Sequence, residues 1–127
     1  MTQTQTAPAK PAEASPAKPL FGFRALLADL AAMRSAAGEA TTLLKALANE
    51  DRLLLLCQMV NGEKSVSELE QLLDIRQPTL SQQLGVLRTE GLVSTRREGK
   101  RIYYSLASPQ ALQILGTLYS LYCPQNI

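Results

Sequence analysis

The sequence predicts a mainly α-helical fold carrying one β-hairpin. Three observations predict it. Leucines recur at helical spacing through most of the chain between Phe21 and Leu87. Helix start and stop residues punctuate that pattern at short intervals, as at Asn49, Asn61-Gly62, Ser65 and Ser108-Pro109. One pair of strand-like runs, Leu92–Arg97 and Arg101–Leu106, flanks Glu98-Gly99-Lys100.

A chain of 127 residues accommodates a single domain. Residues 1–20 are Ala, Pro, Thr, Gln and Lys with almost nothing large and apolar, and they hold four of the seven prolines. Such a segment buries too little to offset its chain entropy, so 1–20 is expected to be a disordered tail and 21–127 the folded domain. A first helix is expected from Phe21 to about Gly38, with Leu26, Leu27, Leu30 and Met33 on its apolar face. A second is expected over Glu39–Ala48, with Leu43, Leu44 and Leu47 inward.

A third helix starts at Asn49, a residue suited to accept backbone N–H groups, followed by Glu50 and Asp51, which suit the positive end of a helix. Its run Leu53–Cys57 covers most of a helical circumference, which marks it as central; Asn61-Gly62 ends it. Ser65-Val-Ser-Glu68 has the spacing of a reciprocal cap for a short helix with Leu69, Leu72 and Leu73 on one side. After the connector Asp74-Ile75-Arg76, a helix over Gln77–Glu90 directs Leu80, Leu84 and Leu87 inward. Pro78 suits its first turn, where no internal donor is lost. Arg76 stands where a Ser or Asn would cap that helix, so either another group caps that end or DNA phosphate does so in the complex. In the second strand Ile102, Tyr104 and Leu106 alternate with Arg101, Tyr103 and Ser105, the pattern of a half-buried strand. The last helix carries apolar residues on more than one face, enough for its own core and a partner subunit.

Short helix, tight turn, second helix and hairpin make a winged helix-turn-helix. Gln77, Thr79, Ser81, Gln82, Gln83 and Arg88 lie opposite the leucines of the second helix and are mostly uncharged, as base-reading surfaces are. Net charge is only +2, yet Arg96, Arg97, Lys100 and Arg101 gather within six positions at the hairpin tip, where a wing can grip phosphate. Double-stranded DNA is therefore the expected partner. Half-sites about 34 Å apart call for two such helices, hence a dimer, with the first and last helices as its apolar surface. The scarcity of aromatics, at 5%, argues against a stacking surface for single strands. The chain has no His, the commonest general base and metal ligand, and no Gly-rich phosphate loop, so an enzyme is not expected. No metal or other cofactor is expected either. No segment has the length of a membrane span, and the first residues have no apolar signal core, so a cytoplasmic location is expected.

Leu47-Ala-Asn-Glu-Asp-Arg52-Leu, Ser65-Val-Ser-Glu-Leu69, Gln77-Pro-Thr-Leu-Ser-Gln-Gln-Leu84, Leu87-Arg-Thr-Glu-Gly-Leu-Val93 and Arg97-Glu-Gly-Lys-Arg-Ile-Tyr-Tyr-Ser-Leu106 together resemble the ArsR/SmtB family of bacterial repressors, over about residues 40–123. The resemblance implies a homodimer that blocks a promoter until an inducer releases it. The chain departs from the family's metal sensors, since Lys64–Leu69 contains no Cys and the last helix no His. Taken by itself, Cys57 in an apolar helical run reads as a small buried hydrophobe. However, Leu56-Cys57 and Tyr122-Cys123 resemble the dithiol branch of the family, the BigR, SqrR and HlyU type. That resemblance implies that Cys57 and Cys123 sense persulfides and related reactive sulfur by forming a disulfide or polysulfide link. The other reading is a metal-responsive or constitutive repressor whose cysteines are structural.

Overall fold

The computed structural model describes residues 28–123, together with Gly22, Arg24 and Ala25. The expectations for 1–20, and for Phe21, Leu26 and Leu27 as part of the first helix, lie outside the described residues. The chain divides into two compact units, Met1–Thr41 and Thr42–Ile127. The element order is α1 (Leu30–Leu47), α2 (Glu50–Gln58), β1 (Lys64–Ser65), α3 (Val66–Leu73), α4 (Thr79–Thr89), β2 (Val93–Glu98), β3 (Arg101–Leu106) and α5 (Pro109–Tyr122). No helix among the described residues is long and apolar enough to cross a membrane.

The two helices expected on either side of Gly38 are one. Asp29 starts it by accepting a hydrogen bond from Ala32 N at 3.1 Å, and α1 continues through Gly38 to Leu47. A glycine inside a helix costs only about 1 kcal/mol against Ala. Ala36, Ala37, Glu39 and Ala40 around it are strong helix formers, so the helix persists.

The caps of the second unit follow the local chemistry of the sequence. Asn49 accepts from Arg52 N to start α2. At α3 the reciprocal cap is complete: Glu68 N donates to Ser65 Oγ at 3.2 Å and Ser65 N to Glu68 Oε1 at 2.7 Å. Ser108 caps α5 through Ala111 N at 3.0 Å. Helix α2 ends at Gln58, three residues before Asn61, with Met59 as its cap. Helix α4 starts two residues later than expected, at Thr79, and Pro78 at its cap position offers no side-chain bond. Gln77 supplies one from outside: its Oε1 accepts from Ser81 N at 3.1 Å and from Ser81 Oγ at 2.6 Å.

The core of the second unit gathers Leu47, Leu55, Leu56, Met59, Leu69, Leu80, Leu84, Leu87, Leu92 and Leu115. Leu55 and Leu56 are fully buried, so α2 is central, but the Leu53–Cys57 run is not buried throughout: Leu54 and Cys57 are exposed. Leu72 of α3 is likewise exposed, leaving Leu69 and Leu73 to face the core.

Strands β2 and β3 pair antiparallel from Val93↔Leu106 to Glu98↔Arg101. Gly99 takes the left-handed φ of +63° that the two-residue turn needs at its first position. A third strand was not expected. β1 pairs with the other edge of β3, Lys64 against Tyr104 and Ser65 against Tyr103, giving the order β1-β3-β2. This makes β3 the central strand, and Ile102 to Leu106 are all half-buried instead of alternating.

Candidate nucleic-acid interface and thiol pair

Buried Leu80, Leu84 and Leu87 anchor α4 and turn its polar residues outward. Gln77, Thr79, Ser81, Gln82 and Arg88 are exposed, and Gln83 is half-buried. These side chains are not equivalent. The Oε1 atom of Gln77 is occupied by Ser81. The Oε1 atom of Gln83 accepts from Arg52 Nη1 at 2.7 Å. Gln82 makes no side-chain hydrogen bond among the described residues, and so keeps both its donor and its acceptor. Arg52 was not singled out from the sequence, although it is the only basic residue in α2.

The four basic residues of the wing also divide. Arg96 is bound from three sides: Glu63 takes Nη2 at 2.6 Å and Nε at 3.2 Å, Glu98 takes Nη1 at 2.8 Å, and the guanidinium lies 4.6 Å from the centre of the Tyr103 ring. The Arg96 hydrogen bond holds the Glu63 carboxyl below its ordinary value, and the two carboxylates push the Arg96 pKa further up. This side chain ties the segment before β1 to the wing. Arg97 and Lys100 are exposed and form no ion pair among the described residues. Arg101 is exposed too; with Lys64 it contributes the smallest part of a lowering of Glu68 whose main cause is the bond from Ser65 N. Across a shallow cleft, Lys100 and Arg101 face Ser65, Ser67 and Glu70 at the start of α3. The wing thus presents Arg97, Lys100 and Arg101 as available cations and keeps Arg96 as a brace.

Cys57, near the end of α2, is exposed, not the buried hydrophobe its apolar neighbours suggest; Cys123, which caps α5, is exposed as well. Both are thiols, with no disulfide between them. Burial pushes the Cys57 pKa up, and the charge of Cys123 pushes it further in the same direction. Among the described residues, no three His, Cys, Asp or Glu side chains gather as a metal-ligand set.

The family profile of bacterial regulatory proteins of the arsR family matches residues 49–95. The biofilm growth-associated repressor of Agrobacterium fabrum is 55% identical over 94 residues, which cover 74% of this chain and 80% of that one. The crystal structure of the transcriptional repressor BigR from Xylella fastidiosa superposes with a TM-score of 0.70 at 52% identity, covering 73% of this chain and 95% of that one. The transcriptional activator HlyU of Vibrio cholerae is 42% identical over 98 residues, or 77% of this chain and 91% of that one. The structure of reduced HlyU superposes with a TM-score of 0.70, covering 72% of this chain and 97% of that one. These relatives are transcriptional regulators, not enzymes.

Proposed function

The chain belongs to the ArsR family of bacterial regulatory proteins, and from that premise we propose that it is a homodimeric repressor whose hold on double-stranded operator DNA is switched by thiol chemistry at Cys57 and Cys123. Helix α4 enters the major groove with Thr79, Gln82, Gln83 and Arg88, and Arg97, Lys100 and Arg101 of the wing take phosphate beside it. The partner subunit covers apolar side chains that α1 and α5 leave exposed, such as Leu44, Tyr119 and Leu121. The place of action is the cytoplasm, where thiols stay reduced until a signal arrives.

One observation carries the switch: Cys57, near the end of α2, and Cys123, which caps α5, are both exposed thiols. A cytosolic pair so placed suits regulation better than structure. The inducer is a reactive sulfur species carrying sulfane sulfur. Cys123 takes the sulfane sulfur of a persulfide and releases the parent thiol. The Cys57 thiolate then attacks the inner sulfur of the Cys123 persulfide and expels hydrosulfide. The sulfane sulfur is the oxidant, and it leaves reduced. The resulting link joins the end of α5 to α2 and shifts the balance between two dimer states. Regulation follows only from a difference in DNA affinity between those states.

The test is peptide mapping of the reduced protein after a glutathione persulfide treatment, alongside Cys57→Ser and Cys123→Ser proteins. A Cys57–Cys123 peptide should appear in the unaltered protein, and both variants should keep their grip on DNA under persulfide. Release of DNA by treated Cys123→Ser protein would contradict the paired-thiol mechanism.

A further inference from the structure

Arg52 leaves α2 and reaches three acceptors. Its Nε donates to Ala46 O at 2.6 Å, its Nη2 to Lys45 O at 3.0 Å and its Nη1 to Gln83 Oε1 at 2.7 Å. The two carbonyls belong to the last turn of α1, where backbone oxygens have no partner within the helix. With two fixed carbonyls on one side, the planar guanidinium has a single orientation to offer Gln83. Its own backbone is held as well, since Arg52 N donates to Asn49 Oδ1 at 3.0 Å.

A guanidinium carries donors only. The Gln83 atom that faces it is therefore the carbonyl oxygen, and the amide nitrogen is turned to the other side of the planar group. This restricts what Gln83 can read. Bidentate recognition of adenine needs a glutamine that accepts from N6 while donating to N7. A glutamine whose oxygen already accepts from an arginine has two free N–H donors to present and one remaining lone pair, so its donor side is the better supplied and favours a base edge that accepts. In the major groove guanine offers two acceptors, O6 and N7, and thymine one; cytosine N4 is a donor.

We propose that Arg52 is a positioning residue for base specificity: by holding Gln83 Oε1 it makes α4 select an acceptor-bearing base, guanine above all, at the position Gln83 meets. The inference rests on the reading that α4 binds duplex DNA. Gln82, one residue earlier, is the internal contrast, because its amide has no partner among the described residues and can read adenine. Arg52 touches no DNA in this scheme; it acts through Gln83.

The experiment is selection from a randomised duplex library by the full-length reduced protein, sequenced after binding, with the unaltered chain, Arg52→Met, Arg52→Lys and Gln83→Ala. Gln83→Ala identifies the symmetric pair of positions that Gln83 meets. At that pair, the unaltered protein should prefer guanine over adenine by roughly tenfold, the size of one good base contact. Arg52→Met should reduce that preference to below about threefold and admit adenine, while every other position keeps its preference. A merely structural role would weaken all sequences alike and leave the base preferences in place. Arg52→Lys serves where Arg52→Met does not fold: one ammonium cannot hold two carbonyls and the amide together, so the same local loss is expected. Unchanged preference at the Gln83 positions, or a uniform loss at all positions, overturns the proposal while leaving the DNA-binding reading intact. Absence of any sequence selection by the unaltered protein overturns both.

Discussion

Replacing Arg96 and Arg97 one at a time by Gln should have unlike effects on the salt dependence of DNA binding, although the two residues are adjacent on β2. A cation seated on phosphate releases a counterion, so each such contact adds about 0.9 to the slope of log K against log salt. A homodimer has two wings. Arg97→Gln removes two contacts and should lower the slope by about 1.8. Between 50 and 200 mM salt, the unaltered protein should then lose roughly twelvefold more affinity than the variant. The Arg96 guanidinium is already occupied by Glu63 and Glu98 and lies over Tyr103. Arg96→Gln should leave the slope nearly unchanged and weaken binding only as far as the wing loosens. Fluorescence anisotropy of a labelled duplex titrated at four salt concentrations gives both slopes. Equal falls in the two variants would show that Arg96 leaves its carboxylates to reach phosphate. An unchanged slope in Arg97→Gln would show that the wing tip does not touch DNA.

Other outcomes follow from the same geometry. Ser65→Ala removes both the hydroxyl that caps α3 and a hydrogen bond in a buried position; it should cost about 1 kcal/mol in urea unfolding, with the m-value unchanged. Leu56→Ala, at a fully buried site beside Leu55, should cost about 2–5 kcal/mol and show as a large fall in the same midpoint. Because the folded Cys57 pKa is raised, its alkylation by iodoacetamide should reach half-maximal rate above the ordinary thiol value of about 8.5. Cys123→Ser should bring that midpoint part of the way down, since burial is the larger cause and stays. The neutral thiol is the form favoured by folding, so this contribution to stability is present below the ordinary thiol pKa and is lost as pH rises through the raised one.

What the sequence disclosed was mostly local. Asn49, Ser65 with Glu68, and Ser108 each bond a backbone group three residues on, a relation that spacing alone reveals. Leu80, Leu84 and Leu87 settle the inner face of α4 by the same short-range logic. Gly38 misled because a glycine marks a stop only where the neighbouring residues also cease to favour helix, and here they are alanines and Glu39, all strong helix formers. The two-residue β1 is too short to show alternation, and its partner Tyr103–Tyr104 lies far along the chain. The cap of α4 was hidden because Gln77 bonds across Pro78 from outside the helix. Arg52 to Gln83 and Glu63 to Arg96 are contacts between distant segments, and composition makes all four wing cations look alike. Once the register sets Arg96 opposite Tyr103, its separate role becomes legible. The exposure of Cys57 was likewise invisible, since its neighbours Leu55 and Leu56 are fully buried.

The proposed thiol switch at Cys57 and Cys123 makes DNA binding depend on the state of the two sulfurs. Its most direct test is the anisotropy of labelled promoter duplex with fully reduced protein at one fixed salt concentration, before and after a persulfide donor and again after reductant. Tight binding, loss on persulfide treatment and recovery on reduction are expected. Binding that persists unchanged through the treatment would contradict the switch, returning both cysteines to structural duty on a regulator released by some other signal.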